Sequence, residues 1–230
     1  LYSAHTLVVA MLMDGKAVTG DRADRLMAMM NAKTPVSEGL KRVETEQGTG
    51  FIDQMGEWGI PPREGRYRDF ADGLAAFEEG RHWGFIDRSG QAVIKPEWDE
   101  VGDFSEGMAA VKREKKWGAV DAQGQVVTSP VWDEIRSFHE GLAAVRQGKL
   151  WGFLDHAGKI IADPKWPVVG DFSEGIASVK VDPPAKAFIP KTGEYDFWSF
   201  IDRTGNLLFG GRAEMIERGA SPSSFKDGVT

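Results

Sequence analysis

The chain has 230 residues, 41% of them apolar and 27% charged; that is enough apolar surface for one large folded domain or two small ones, and it excludes a disordered chain. A formal charge of −7 argues against a nucleic-acid or anionic-membrane binder, which needs a basic face to displace counterions. No cysteine is present, which excludes disulfides, thiolate zinc sites and cysteine nucleophiles.

The longest apolar run, Leu7 to Met13, is far shorter than the ~20 residues that span a bilayer. No basic region precedes it, so it does not read as an intact signal peptide. A start at Leu1 without Met suggests a fragment or a processed form. Residues 1–36 have helical features. Ser3 is placed to cap a helix from Ala4 to Met13, stopped by Asp14-Gly15. A second helix is expected from Asp21 to Lys33, with Ala23, Leu26, Met27, Met29 and Met30 as its apolar stripe and Pro35 beyond its end. This helical pair is expected either to cap the domain that begins at residue 37 or to be the tail of an upstream domain.

From residue 37 a repeat takes over. Gly39, Gly73, Gly107, Gly141 and Gly175 follow one another at 34 residues. Gly56, Gly90, Gly124 and Gly158 keep the same step, as do Asp53, Asp87, Asp121 and Asp155, and Pro62, Pro96, Pro130 and Pro164. Two tryptophan series join them: Trp83, Trp117 and Trp151, and Trp98, Trp132 and Trp166. Units start near 37, 70, 104, 138 and 172, and residue 225 opens an incomplete one.

Within one unit the apolar runs are short and bounded by Gly, Pro or Asp, as in Phe70-Ala71-Asp72-Gly73-Leu74-Ala75-Ala76-Phe77, Trp83-Gly84-Phe85-Ile86-Asp87 and Gln91-Ala92-Val93-Ile94-Lys95-Pro96. Such runs fit strands rather than helices. Asp87-Arg88-Ser89-Gly90 is a hairpin turn, repeated at Asp121, Asp155 and Asp202. The proline marks the end of the third strand, because it cannot donate to a ladder. The expectation is about three short antiparallel strands per unit. Trp83 and Phe85 point to one face and Ile86 to the other, so the sheets should be covered on both sides and the tryptophans should cement neighbouring copies. The glycine after each tryptophan is expected to leave room for a large side chain of the neighbouring copy.

These columns resemble the WG-containing (KWG) bacterial repeat. The resemblance rests on Phe104-Ser105-Glu106-Gly107-Met108-Ala109-Ala110-Val111, Lys116-Trp117-Gly118 and Phe153-Leu154-Asp155-His156-Ala157-Gly158-Lys159, and it covers roughly residues 37 to 209. It implies a scaffold rather than a reaction. The expected fold is an all-β repeat array, open and twisted, after a small helical segment; a five-bladed β-propeller is the alternative. The first copy departs from the pattern, with Thr49-Gly50 for Trp-Gly and Glu64 for the second tryptophan. In the fifth, Trp198-Ser199 stands for Trp-Gly and 13 extra residues fall between Val181 and Ser199.

No pattern in the chain carries chemistry. His5, His82, His139 and His156 lack metal-ligand spacing, no phosphate loop or nucleophile elbow occurs, and one recurring acid per turn is too few for calcium. No catalytic, metal or cofactor-binding residue is assigned, and no enzyme is expected. The expected partner is a protein, with no nucleic acid and no membrane insertion. The fifth-copy insertion supplies Phe188, Tyr195 and Phe197 as candidate partner-binding aromatics, either for recognition or as a cap on the last face. The alternative is a glycan-binding module stacking sugars on Trp98, Trp132 and Trp166, which requires those rings to be open to solvent.

Overall fold

The computed structural model describes residues 11–13, 16–18, 20–31, 35–183, 195–208 and 214–217. The chain divides into two compact units, Leu1–Glu97 and Trp98–Thr230.

The first unit opens with a hairpin, β1 (Met11–Met13) and β2 (Lys16–Val18), paired antiparallel with Met13 opposite Lys16. The helix expected over Ala4–Met13 is therefore not formed at its C-terminal end. Asp-Gly flanked by apolar residues is a hairpin signal, and the rest of the expected helix, Ala4–Ala10, lies outside the described residues. The second expected helix is present as α1 (Asp21–Asn31). Its Leu26 is buried, and Arg22 and Arg25 donate to the carbonyls of Met55 and Gly56. The helix thus sits on the Asp53–Gly56 turn of the first sheet.

That sheet contains β3 (Val36–Ser37), β4 (Leu40–Thr45), β5 (Gly48–Asp53) and β6 (Trp58–Arg63) in sequential order. The second contains β7 (Arg66–Ala71), β8 (Leu74–Glu79), β9 (His82–Ile86) and β10 (Ala92–Trp98). Leu40, Phe51 and Ile60 of the first pack with Phe70, Phe77 and Ile86 of the second in one buried cluster.

The second unit repeats the plan. Its sheets are β11 (Glu100–Val101), β12 (Met108–Arg113), β13 (Lys116–Asp121) and β14 (Val126–Trp132), then β15 (Glu134–Ile135), β16 (Leu142–Gln147), β17 (Leu150–Asp155) and β18 (Ile160–Trp166). The last comprises β19 (Ile176–Val181), β20 (Tyr195–Asp202) and β21 (Glu214–Glu217), with Val169 bridging to Val179. The fold is all-β and antiparallel as expected, but four of the five repeat sheets are four strands wide rather than three. The additional strand follows the second tryptophan. Only Asp133 separates Trp132 at the edge of one sheet from Glu134 in the next, and a two-residue strand has no periodicity to read.

Side-chain alternation explains the stack. On β16, Ala143 and Val145 enter the cluster shared with Met108, Ala119, Trp132 and Phe138, while Leu142 and Ala144 enter the one shared with Val169, Ala177 and Val179. Each middle strand is buried on both faces, which is what apolar residues at consecutive positions require.

The glycine after tryptophan has a different role from the one expected. A Cβ on Gly118 would meet the Thr128 carbonyl and lie 2.8 Å from Pro130 N, within the same sheet. Gly152 relates to Ala162 and Pro164 in the same way. The register jumps here: Trp117 pairs with Trp132 but Ala119 pairs with Thr128, so the residues around Pro130 bulge towards Gly118. The proline lies inside an outer strand at that bulge and does not end it. Close approach between copies belongs instead to the glycine of the Asp turn. A Cβ on Gly158 would lie 2.5 Å from the Val127 carbonyl oxygen of the preceding sheet, and one on Gly205 equally close to the Ile161 carbonyl oxygen. At Gly56 the neighbour is Leu26 of α1, so the helix stands where a preceding copy would.

Candidate interaction surface

The repeated polar residues are consumed by the architecture. In each Asp turn the glycine N–H donates to the aspartate carbonyl, and the carboxylate accepts from the backbone two and four residues on, as Asp121 does from Gln123 (3.0 Å) and Gln125 (2.8 Å). Ser89 and Thr204 hydroxyls add a bond to Asp87 and Asp202, and these bonds hold both carboxyls below the usual aspartate range. Among the described residues no group of three His, Asp or Glu side chains is placed to hold a metal ion.

The Glu-Gly pairs form tight hairpin turns in which both residues have positive φ, 55° at Glu106 and 74° at Gly107. Their carboxylates also reach the next copy. Glu106 accepts from the N–H groups of Glu140 (2.6 Å) and Gly141 (2.7 Å), and Glu140 from those of Glu174 (2.6 Å) and Gly175 (2.7 Å). Glu38 accepts from Gly73. A basic residue just after the Asp of a turn closes the hook: His156 Nε2 lies 3.3 Å from Glu106, and Arg203 donates to Glu140 at 2.8 Å. No local spacing shows the hook, because its partner lies 34 residues away.

The Arg203 bond first, then the Gly175 and Glu174 N–H groups, holds the Glu140 carboxyl below its ordinary value of 4.5. The unfolded chain therefore takes up this proton more readily. Stability from the hook is complete above the unfolded value and is lost as pH falls through the lower folded one. Glu140→Gln is expected to melt below the wild type near neutral pH, with the gap closing between roughly pH 5 and pH 2. Melting curves across that range check it; a gap that stays constant contradicts it.

The candidate aromatics fall apart as a set. Trp98, Trp132 and Trp166 are only 1%, 7% and 4% exposed, so the alternative of a sugar stacked on these rings lacks the open face it requires. Trp117 faces Trp132 and Trp151 faces Trp166 across neighbouring strands. Cations lie over several of the rings, Arg136 over Trp151 at 4.3 Å and Lys165 over Trp166 at 4.5 Å. Of the insertion residues, Phe197 is buried in β20 between Val181 and Met215 on the flanking strands. Tyr195 heads β20, paired with Glu217, and Phe188 lies outside the described residues. The insertion does join β19 to β20, the place expected from its sequence.

The WG containing repeat matches at residues 50–81, 83–117, 117–151 and 151–182, together more than half of the chain. The chain belongs to the WG-repeat family. No curated protein matches it. Among solved structures this WG-repeat chain is similar to a eukaryotic initiation factor, with a TM-score of 0.52 and 12% identity over 79% of this chain and 52% of that one. It thus spans about half the length of that protein, and the likeness is one of fold. Weaker likenesses are to Hsv2p of Kluyveromyces lactis (TM-score 0.43, 9% identity, 74% and 59% covered) and the Pan2 WD40 domain of Neurospora crassa (TM-score 0.35, 14% identity, 75% and 62% covered). Among the described residues no helix is long and apolar enough to cross a membrane.

Proposed function

We propose that this WG-repeat chain is a noncatalytic scaffold that holds a protein partner, with the insertion between Val181 and Tyr195 as its contact segment. The observation that carries this reading is the fate of the repeated side chains. Most tryptophans are buried, Asp carboxylates cap turns, and Glu carboxylates tie copies together, so the recurring residues serve the stack. A segment present once is then the better candidate for recognition. Repeat scaffolds recognise partners in this manner, with rigid units carrying a variable loop.

The sheets belong, in this reading, to an open twisted array rather than a closed five-bladed ring. Four strands per sheet would suit either form, and the matching first pieces at residues 37–40 and 226–229 argue for the open one.

The test is capture of partners by the whole chain, with and without residues 184–192. Deletion is expected to abolish capture while leaving the melting temperature within about 2 °C, since the cut removes no residue of β19 or β20. Unchanged capture removes the insertion from the reading. A large fall in melting temperature makes the segment a cap.

A further inference from the structure

The first copy lacks both members of the cross-strand tryptophan pair. Thr49 stands at the position of Trp117 and Trp151, and Glu64 at that of Trp132 and Trp166. Backbone register confirms the first match, since Thr49 pairs with Glu44 as Trp151 pairs with Arg146, while on its other side Thr49 stands opposite Arg63 rather than Glu64. In the fourth copy Trp151 packs in one cluster with Val169 and Val179 of the following sheet. The corresponding positions of the second sheet hold Tyr67 and Phe77. The Tyr67 ring is stacked on Phe77 and set edge-on to Phe51. Trp58 does not refill the space, because its ring lies against Gly50, on the opposite side of β5 from Thr49.

An open pocket of about 430 Å³ lies here, within the ordinary range for small ligands. Thr49, Tyr67 and Trp83 form part of its wall, and Arg42, Arg66 and Arg68 bring three guanidiniums to it beside Glu44, with Asp69 and Glu78 as further acidic partners of Arg42 and Arg66. The guanidiniums are held in place: Arg42 by Asp69 at 3.0 Å, Arg66 by Glu78 at 3.2 Å, and Arg68 by stacking 4.8 Å from the Trp83 ring centre. Guanidinium forks placed in advance suit a planar acid group.

We propose that this cavity binds a small aromatic acid, its ring taking the space other copies give to tryptophan and its carboxylate meeting the arginines. The site is independent of the fifth-copy insertion and of any protein partner.

Indole-3-acetate is the probe, titrated into the whole chain by calorimetry, with indole-3-acetamide alongside. Saturable binding of the acid is expected, with the amide at least about tenfold weaker, as loss of a charged hydrogen bond implies. Thr49→Trp fills the space and should abolish binding while raising the melting temperature. Arg66→Ala should weaken the acid about tenfold and leave the amide unchanged, and it keeps the test decisive if Thr49→Trp does not fold, because the Arg66 side chain is 77% exposed. No saturation by about 10 mM, equal binding of acid and amide, or binding indifferent to Arg66→Ala or to a folded Thr49→Trp overturns the proposal.

Discussion

Trp151→Ala is expected to lower stability by about 3–5 kcal/mol, the usual cost of removing a large aromatic side chain from a core. Its ring is 8% exposed and shares a buried cluster with Trp166, Val169, Phe172 and Val179, which come from the fourth and fifth copies together. Arg136 and Arg146 also lie over it at 4.3 and 5.6 Å, and they lose their aromatic partner. For a chain of this length the melting temperature should fall by roughly 10 °C. Trp151→Phe keeps most of the apolar area and should cost less than half as much. Denaturant melts of the two variants decide the matter. A wild-type midpoint for Trp151→Ala would mean that the ring faces solvent.

Gly118→Val and Gly158→Ala should both be severe, for different reasons. At Gly118 a side chain meets the backbone of β14 around Thr128 and Pro130, so the strand pair must separate or its bulge must be remade. Overpacking of this kind costs about 1–3 kcal/mol for one methyl and more for valine. At Gly158 the φ of +74° already disfavours alanine, and the methyl would press on the Val127 carbonyl of the preceding sheet. Hydrogen exchange separates the two. Gly118→Val should expose amides of β13 and β14 first, whereas Gly158→Ala should loosen protection on both sides of the contact between copies. Equal protection patterns in the two variants would contradict this division of roles.

Much of the fold is legible in the sequence because packing asks the same question every 34 residues. The Asp-x-x-Gly turns and the two-faced burial of strands such as Leu142–Gln147 follow from local residue types at fixed spacing. What escapes is relational. The bulge at Pro130 exists only between two strands, so the proline reads as an end and Gly118 as a space for another copy. The short strand Glu134–Ile135 is too brief for a period, and the hairpin at Met11–Val18 is hidden behind an apolar run with helical flanks. The candidate site is less legible. Phe188, Tyr195 and Phe197 are neighbours in sequence, yet Phe197 is part of the sheet interior. Thr49 reads only as a departure from the pattern; that it lines a pocket with Tyr67 is something no spacing rule gives.

The repeated tryptophans build the stack and do not offer an open series of rings to a sugar. Iodide quenching of native tryptophan fluorescence tests this on the intact chain. Six of the eight tryptophans, all but the half-buried Trp58 and Trp117, are under a tenth exposed. Burial predicts blue-shifted emission, quenching confined to a minor fraction of the signal, and full accessibility only after denaturation. Red-shifted emission with most of the native signal open to iodide would contradict it.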